Sequence, residues 1–136
     1  MSARRHHSPA IRSGPSARAT SCILRRQRNR AGGPSGVSAA SSSPVCTVTF
    51  PPDASWQGKV GQKEVAAFFQ SMGSPQASTW SANAKHPYMQ KTETLEFAVV
   101  TDGEIVLVLD TQDVVLKQGE FAIIRGSNHA WSNRTN

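Results

Sequence analysis

The feature that most constrains this sequence is a series of short apolar runs in its second half, each separated from the next by turn residues. Gly103, Gly119 and Gly126 lie in these turns. Several short strands at such spacing indicate an antiparallel β-sandwich or barrel. The runs occupy residues 95–100, 105–109, 114–116, 120–125 and 129–131.

One of these turns carries a more specific signal. Asp102-Gly103 lies between the runs 95–100 and 105–109, both rich in β-branched residues. Glycine accepts a positive φ without strain, so Asp-Gly between two such runs predicts a hairpin.

Two further elements are predicted upstream. Residues 45–50 are β-rich and are stopped by Pro51-Pro52. Residues 63–72 (KEVAAFFQSM) place Val65, Phe68, Phe69 and Met72 on one helical face, and Gly73 followed by Pro75 ends the run. The folded part therefore begins with a strand and carries one short helix before the strand series.

Residues 1–44 differ sharply in composition. They hold eight arginines and no acidic residue, are rich in Ser, Gly and Pro, and contain one small apolar cluster, Cys22-Ile23-Leu24. Such a segment cannot bury enough apolar surface to offset chain entropy. We expect a disordered Arg/Ser-rich tail over 1–44 and a single folded domain over 45–136.

The net charge of +6 originates in this tail. From residue 45 onward seven cations face nine acids, so the expected domain is mildly acidic. No aromatic residue interleaves the arginines, and we therefore expect no nucleic-acid partner. No apolar run approaches the roughly 18 to 20 residues that span a bilayer, and no membrane association is expected.

Localisation follows from the same tail. An Arg-rich, Ser-rich and acid-free N-terminus is also typical of organellar transit peptides. The expectation is a cytoplasmic protein, with mitochondrial targeting as the alternative. Two cysteines, Cys22 and Cys46, do not suggest a disulfide framework or a thiolate metal site.

Glu96 is the residue that most needs an explanation, because it interrupts an apolar strand. On a strand, Leu95, Phe97 and Val99 face one side, and Glu96, Ala98 and Val100 face the other. A buried carboxylate without a partner costs several kcal/mol or becomes protonated. Its candidate partners are a metal ion, His129, Lys91 and Arg125.

The strand series resembles the cupin family of small barrels. Glu96, followed after six residues by Gly103-Glu104, is similar to the first cupin motif. Gly119, Gly126, His129 and Asn133 are similar to the second, and "RGSNHAWSN" over 125–133 resembles the same region of small single-domain cupin-2 proteins. The resemblance implies a mainly β double-stranded β-helix, or jelly-roll barrel.

In metal-binding cupins the acid and the histidine at these positions point into the barrel and share a cation. The resemblance therefore implies a tentative metal set of Glu96, His129 and Gln90, for Fe, Mn, Zn or Ni. The sequence departs from the pattern because 88–92 reads Tyr-Met-Gln-Lys-Thr and lacks the two histidines that metal cupins place before the acid. His86 lies ten positions before Glu96, too far for that role.

This depleted set leaves the function open between two hypotheses. The first is a small-molecule-binding module whose pocket holds Glu96, His129, Arg125, Trp131 and Phe97, without chemistry. The second is a metal-dependent cupin enzyme, a dioxygenase, isomerase or decarboxylase acting on a small organic substrate. Enzymatic activity, catalytic residues and cofactor stay undecided at this level.

Two expectations concern assembly. Asn133 is expected to fix a turn or strand end through backbone hydrogen bonds. Cupins usually continue with a further apolar strand after this point, so a missing C-terminal strand and an open barrel edge are expected. Cupins also commonly form dimers, which makes a homodimer one expected state.

Overall fold

The computed structural model describes residues 20–28 and 45–135, and over 20–28 it describes the backbone. Seven strands and one helix follow in chain order. They are β1 (Thr20–Arg28), β2 (Val45–Phe50), α1 (Gln62–Ser71), β3 (Thr94–Asp102), β4 (Glu104–Leu109), β5 (Asp113–Lys117), β6 (Phe121–Arg125) and β7 (His129–Ser132), with short 3₁₀ turns at Asp53–Ser55 and Pro75–Ala77.

The strands form two antiparallel sheets. One sheet has four strands in the order β2-β1-β3-β6, and the other has three in the order β5-β4-β7. The mainly β class with one helix, predicted from the turn spacing, is confirmed. The helix prediction of 63–72 agrees with α1 to within one residue at each end.

The hairpin predicted at Asp102-Gly103 is wrong. Gly103 does take a positive φ of 76°, and the chain does turn there. However, β3 pairs with β1 and β6, whereas β4 pairs with β5 and β7. The turn therefore passes the chain from one sheet to the other, because the apolar inner faces of β3 and β4 pack against each other across the interior.

The main core lies between the two sheets. Ala98 and Val100 of β3 and Ile124 of β6 contribute from one side. Ile105, Leu107, Leu116 and Trp131 contribute from the other. The inward set of β3 is Glu96, Ala98 and Val100, as strand alternation predicts.

The three-stranded sheet is also covered on its outer face. Val106, Val108 and Ala130 pack there against Met89, with Ala84 alongside. As a result, the four central residues of β4, from Ile105 to Val108, are all buried. The segment that supplies Met89 continues the sheet, because Gln90 forms a bridge with His129 of β7.

Helix α1 packs on this same loop region. Val65 and Phe69 are buried with Ala77, while Val60, Trp80 and Tyr88 pack against them. Gly61 is the N-cap of the helix, and its backbone N–H donates to the Glu64 carboxylate at 2.9 Å. Hydrogen bonds from the backbone N–H of Glu64 itself and, second, from that of Gly61 hold the pKa of Glu64 below its ordinary value.

Strand β1 falls inside the segment predicted to be a disordered tail. Its backbone lies between β2 and β3, in antiparallel register with both. The small apolar cluster Cys22-Ile23-Leu24 belongs to this strand. The rest of the predicted tail, 1–19 and 29–44, lies outside the described residues.

Candidate functional site

A largely apolar cavity of about 350 Å³ lies between α1, β2 and the end of the three-stranded sheet. Helix α1 contributes Phe68 and Phe69, and Met72 follows at its C-terminal end. The remaining lining residues are Val48, Thr49, Phe50, Pro51, Trp56, Ser74, His86, Tyr88, Gln90 and Trp131.

Aromatic side chains form much of the cavity wall. Tyr88 packs edge-to-face on Phe68 and on Trp56, with ring centroids 5.0 and 5.4 Å apart. Trp56 also packs edge-to-face on His86 at 5.4 Å. Pairs at these separations are favourable aromatic geometries, so the wall is a connected cluster of rings.

Gln90 connects the cavity to a buried polar pair. It is about nine-tenths buried, lines the cavity and forms a reciprocal backbone pair with His129, with N···O distances of 2.7 and 2.9 Å. Its side-chain Nε2 lies 3.3 Å from Nε2 of His129. His129 Nε2 in turn lies 3.8 Å from Oε2 of Glu96, and both side chains are fully buried.

The hydrogen bonds of His129 fix its tautomer. Its Nδ1 lies 2.9 Å from the Ser127 carbonyl oxygen, which accepts a hydrogen bond from the Nδ1–H. In the neutral ring Nε2 then carries the lone pair and accepts from the Gln90 amide. The imidazole is thus oriented with its basic nitrogen toward Glu96 and Gln90.

Glu96 is held from the loop before β3. The Thr92 hydroxyl donates to its Oε1 at 2.6 Å, and Thr94 approaches the same oxygen at 3.4 Å. On the neighbouring strand β1, the residue in register with Glu96 is Arg26. The buried Glu96 carboxylate, which was expected to need a partner, therefore has at least two neighbours of this kind: the Thr92 hydroxyl and the His129 imidazole.

The remaining predicted site residues divide into two groups. Trp131 lines the cavity and packs edge-to-face on His129 at 6.1 Å. Arg125 is exposed and Phe97 faces outward from β3, so neither lines this cavity. Strand alternation explains both placements, because their chain neighbours Ile124 and Glu96 face the interior. Lys91, which the sequence offers as a candidate partner for Glu96, is exposed.

A second polar cluster was not anticipated from the sequence. The buried Asp53 carboxylate accepts hydrogen bonds from the Ser132 hydroxyl at 2.6 Å and from the Asn133 backbone N–H at 3.1 Å. Asn133 also donates from its side chain to the Phe50 carbonyl at 2.8 Å, the strand-end role predicted for it. These contacts tie the end of β2 to the end of β7.

His86 joins this cluster to the cavity. Its Nε2 lies 3.7 Å from Oδ2 of Asp53, and its Nδ1 accepts from the Tyr88 backbone N–H at 3.2 Å. Burial lowers the pKa of His86 below its ordinary value, an effect that the Asp53 carboxylate opposes and Arg134 reinforces. Besides the aromatic cavity, His86 borders a polar cavity of about 260 Å³ near Arg134.

The donor set around Glu96 falls short of a typical metal site. Catalytic zinc sites use three protein ligands, and Gln90 presents its amide nitrogen, which cannot ligate, to His129. Across residues 20–28 and 45–135 no group of three or more His, Cys, Asp or Glu side chains is placed to hold a metal ion. Glu96 and His129 thus bring two possible ligands together, and the three-residue metal set implied by the resemblance stays a prediction.

Comparison with known proteins yields short local matches. The chain is 50% identical over 48 residues to phomopsin biosynthesis cluster protein C′ and, equally, to protein D, both of Diaporthe leptostromiformis. It is 38% identical over 48 residues to oryzines biosynthesis cluster protein J of Aspergillus oryzae. Each match covers 35% of this chain and about a quarter of the relative, at 25%, 25% and 27%.

Broader comparisons add nothing to these matches. No family model matches the sequence, and no solved structure matches the fold. Within the described ranges, no helix has the length and apolar character needed to cross a bilayer.

Proposed function

We propose that this chain is a small-molecule-binding domain of the cupin type, and that its ligand occupies the aromatic cavity beside Gln90. The observation that carries the proposal is the connection between a cavity and a buried polar pair. A cavity of about 350 Å³ falls within the range of roughly 300 to 1,000 Å³ that ligand pockets occupy. Its walls are mostly apolar and include a few polar groups, as such pockets require.

One polar group of the lining suggests what the ligand carries. Among the described residues, Nε1 of Trp131 is shielded from water and has no hydrogen-bond acceptor. Trp131 lines the cavity. Leaving a buried N–H group unpaired is costly, so a ligand oxygen that reached it would bind favourably. We propose an apolar, ring-containing molecule with a carbonyl or carboxylate group.

The short matches suggest a context. The matched relatives are named as biosynthesis cluster proteins, and they share about a quarter of their length with this chain. We propose that the ligand is a substrate, intermediate or product of such a cluster. The cupin-type barrel itself is proposed on the inward positions of Glu96 and His129, which the motifs require.

Tryptophan fluorescence can test the binding proposal. Trp56 and Trp131 line the cavity, so an apolar anionic probe such as anilinonaphthalene sulfonate should quench their emission in a saturable way. The Phe68→Ala variant removes a lining ring that is 43% exposed, so it should weaken probe binding at small cost to stability. We expect roughly a tenfold weaker affinity, the equivalent of about 1.4 kcal/mol.

Phe121→Ala is the matched control. Phe121 is 67% exposed, lies on β6 and is not a lining residue of the cavity. Its replacement should leave the probe affinity unchanged when the protein is dilute. Equal affinity in wild type and Phe68→Ala would place the probe elsewhere and remove the support for this cavity.

The alternative proposal is a metal-dependent cupin enzyme. One observation favours it: the Ser127 carbonyl holds His129 in the tautomer that leaves Nε2 available, as metal-ligating histidines commonly are. Against it stands the short donor set described above. Elemental analysis of purified protein should decide, with Glu96→Gln and His129→Ala as variants. Near-stoichiometric metal that both changes abolish would favour the enzyme, and metal content indifferent to them would exclude it.

A further inference from the structure

Besides the aromatic cavity, the domain carries a polar cavity of about 260 Å³, and His86 lines both of them. The polar cavity lies between the turn that follows β2 and the end of β7. Asp53, Lys85, Ser132 and Arg134 are among its lining residues. Its volume is slightly below the roughly 300 Å³ at which drug-sized ligand pockets begin, so a ligand there would be a small molecule.

Nε2 of His86 is a buried hydrogen-bond donor. Nδ1 of the same ring accepts from the Tyr88 backbone N–H, so the neutral ring carries its proton on Nε2. Burial lowers the pKa of His86, which favours this neutral form at pH 7. Within the described ranges Nε2 has no hydrogen-bond partner, and the residue is 5% exposed. An unpaired buried donor is costly, so an acceptor that reached it would bind favourably.

The position of Asp53 shows that this donor faces the polar cavity. Oδ2 of Asp53 lies 3.7 Å from Nε2, and Asp53 lines the polar cavity but not the aromatic one. A separation of 3.7 Å is longer than a hydrogen bond. Oδ2 already accepts from the Ser132 hydroxyl at 2.6 Å, and Oδ1 accepts from the Asn133 backbone N–H at 3.1 Å. The imidazole donor and the carboxylate acceptor therefore border one polar gap.

A hydroxyl is the ligand group that suits this gap. It accepts from the Nε2–H of His86 and donates to Oδ2 of Asp53, because a carboxylate oxygen can accept more than the one bond from Ser132. A ligand carboxylate at the same place would be repelled by the charge of Asp53. An ammonium group has no acceptor to offer the imidazole N–H.

Two cations border the same cavity. The Arg134 guanidinium donates from Nε to the Ser132 hydroxyl oxygen at 3.2 Å and from Nη2 to Oδ2 of Asp113 at 2.7 Å. Nζ of Lys85 donates to the Leu109 carbonyl oxygen at 2.9 Å. A guanidinium has five N–H donors and an ammonium has three, so both cations retain donors for a ligand.

A carboxylate is the group that these cations suit, because a guanidinium can bind it through two parallel hydrogen bonds. Arg134 also lies near the gap beside His86. It contacts Ser132, which in turn contacts Asp53. After burial, the positive charge of Arg134 helps to lower the pKa of His86. A molecule that carries a hydroxyl beside a carboxylate would therefore satisfy both parts of the cavity.

We propose that the polar cavity binds a small hydroxy carboxylate, whose hydroxyl lies between His86 and Asp53 and whose carboxylate binds Arg134 and Lys85. The site is separate from the aromatic cavity and does not rest on the function proposed for that cavity. Arg134 and Lys85 are both exposed, so solvent screens part of their attraction for an anion. We therefore expect a dissociation constant on the order of 1 mM.

Isothermal titration calorimetry on the full chain tests the proposal with malate, each enantiomer separately, and with succinate. Succinate has the carbon chain and both carboxylates of malate but lacks its hydroxyl. At least one enantiomer of malate should bind saturably, and about tenfold or more tightly than succinate. The physical reason is that succinate leaves the buried N–H of His86 unpaired.

Arg134→Gln tests the carboxylate contact and should weaken malate binding about tenfold or more. The change also breaks the ion pair with Asp113, so Asp113→Asn is the matched control. Asp113→Asn breaks the same pair but keeps the guanidinium, and it should bind malate at least as tightly as the wild type. Arg125→Gln removes an exposed arginine of β6 that does not line the cavity, and it should leave malate affinity unchanged.

His86→Phe tests the hydroxyl contact. The phenyl ring retains a surface for Trp56, which packs edge-to-face on His86, but it has no donor for the ligand hydroxyl. The preference for malate over succinate should fall to about one in this variant. A loss of stability alone would not change this ratio, because both probes bind the same folded molecules.

Several results would overturn the proposal. One is the absence of saturable malate binding at about 20 mM. Others are equal affinities for malate and succinate in the wild type, a preference for malate that survives His86→Phe, and equal losses in Arg134→Gln and Arg125→Gln.

The fluorescent probe of the aromatic cavity separates the two sites. Malate should not displace that probe, and Phe68→Ala should leave malate affinity unchanged, because Phe68 lines only the aromatic cavity. Malate that competes with the probe and binds Phe68→Ala more weakly would occupy the aromatic cavity, contrary to the proposal. The function proposed for the aromatic cavity depends on probe affinity alone, so its failure is distinguishable from the failure of this second site.

Discussion

Glu96 and His129 face each other across the interior, with 3.8 Å between Oε2 and Nε2, although they lie on strands of different sheets. Their surroundings explain how a polar pair persists between two apolar layers. Thr92 holds the carboxylate, Ser127 holds the imidazole, and Gln90 links the imidazole to the cavity. The pair is thus positioned by the loops that precede β3 and β7.

Removing the Glu96 carboxylate should destabilise the domain. In Glu96→Ala the Thr92 hydroxyl loses its acceptor at 2.6 Å, and a void opens between the sheets. We expect a loss of about 2 to 4 kcal/mol in the free energy of unfolding, measured by urea denaturation. Glu96→Gln, which retains the shape and one acceptor oxygen, should cost less. Glu93→Ala, an exposed acid in the same loop, is the control; equal midpoints for the two alanine variants would contradict the expectation.

Asp53 should matter as much to stability, although it lies outside the core. Asp53→Ala removes the acceptor of the Ser132 hydroxyl and of the Asn133 backbone N–H. Both donors are buried, so we expect a loss of about 3 kcal/mol in the free energy of unfolding. Ser132→Ala removes one of the two bonds and should cost about half as much. Asp102→Ala serves as the exposed control, and similar melting temperatures for it and Asp53→Ala would show that the tie between β2 and β7 is unimportant.

The depressed pKa of His86 predicts a loss of stability in mild acid. Burial lowers the pKa in the folded state below the ordinary value of 6.5. The unfolded chain therefore takes up a proton first as the pH falls, and stability that is complete above about 6.5 declines until the folded-state pKa is reached. Protonation of His86 at Nδ1 would also remove the acceptor of the Tyr88 backbone N–H and place two N–H donors against each other.

Thermal melts between about pH 7.5 and pH 4.5 should reveal this contribution. The wild-type melting temperature should fall more steeply below pH 6.5 than that of His86→Gln, whatever the stability of the variant at neutral pH. Carboxylates that titrate in both proteins cancel in the comparison. Parallel pH profiles would remove His86 as the source.

Gly126 should tolerate substitution less well than Gly119. Both have positive φ values, 69° and 85°. A Cβ at Gly126 would lie 3.1 Å from the Thr92 carbonyl oxygen, whereas a Cβ at Gly119 would meet nothing within 4 Å. Gly119→Ala should therefore cost about 1 kcal/mol of strain, and Gly126→Ala about 2 kcal/mol or more, by chemical denaturation. Equal losses in the free energy of unfolding would mean that the Thr92 backbone moves away from the new Cβ at little cost.

Local pattern accounts for what the sequence predicted well. The period of α1 and the alternation of β3 follow from which residues are apolar, and the two faces of β3 are those expected around Glu96. Phe97 could have been excluded from the pocket on the same alternation. Asp102-Gly103 shows the limit of such patterns: a dipeptide specifies that the chain turns, but the sheet that the next strand joins depends on distant partners.

Contacts between distant segments account for what was missed. Asp53, His86 and Ser132 come from three separate parts of the chain and form no short motif. Strand β1 lies in an Arg-rich stretch whose composition predicts no buried surface, and its place follows from two neighbours, β2 and β3. Neither the polar cluster nor the position of β1 can be predicted from local residues, because both depend on contacts between distant segments of the folded chain.

The position of β4 has a consequence for how the domain opens. Both faces of β4 are covered, and β5 and β7 lie on either side of it. Its amides between Ile105 and Val108 therefore reach solvent only when the packing on both faces is lost together. Deuterium uptake at these four residues should therefore follow only the rarest openings and report the full free energy of unfolding. The same amides would provide an internal reference against which the faster exchange of other segments can be ranked.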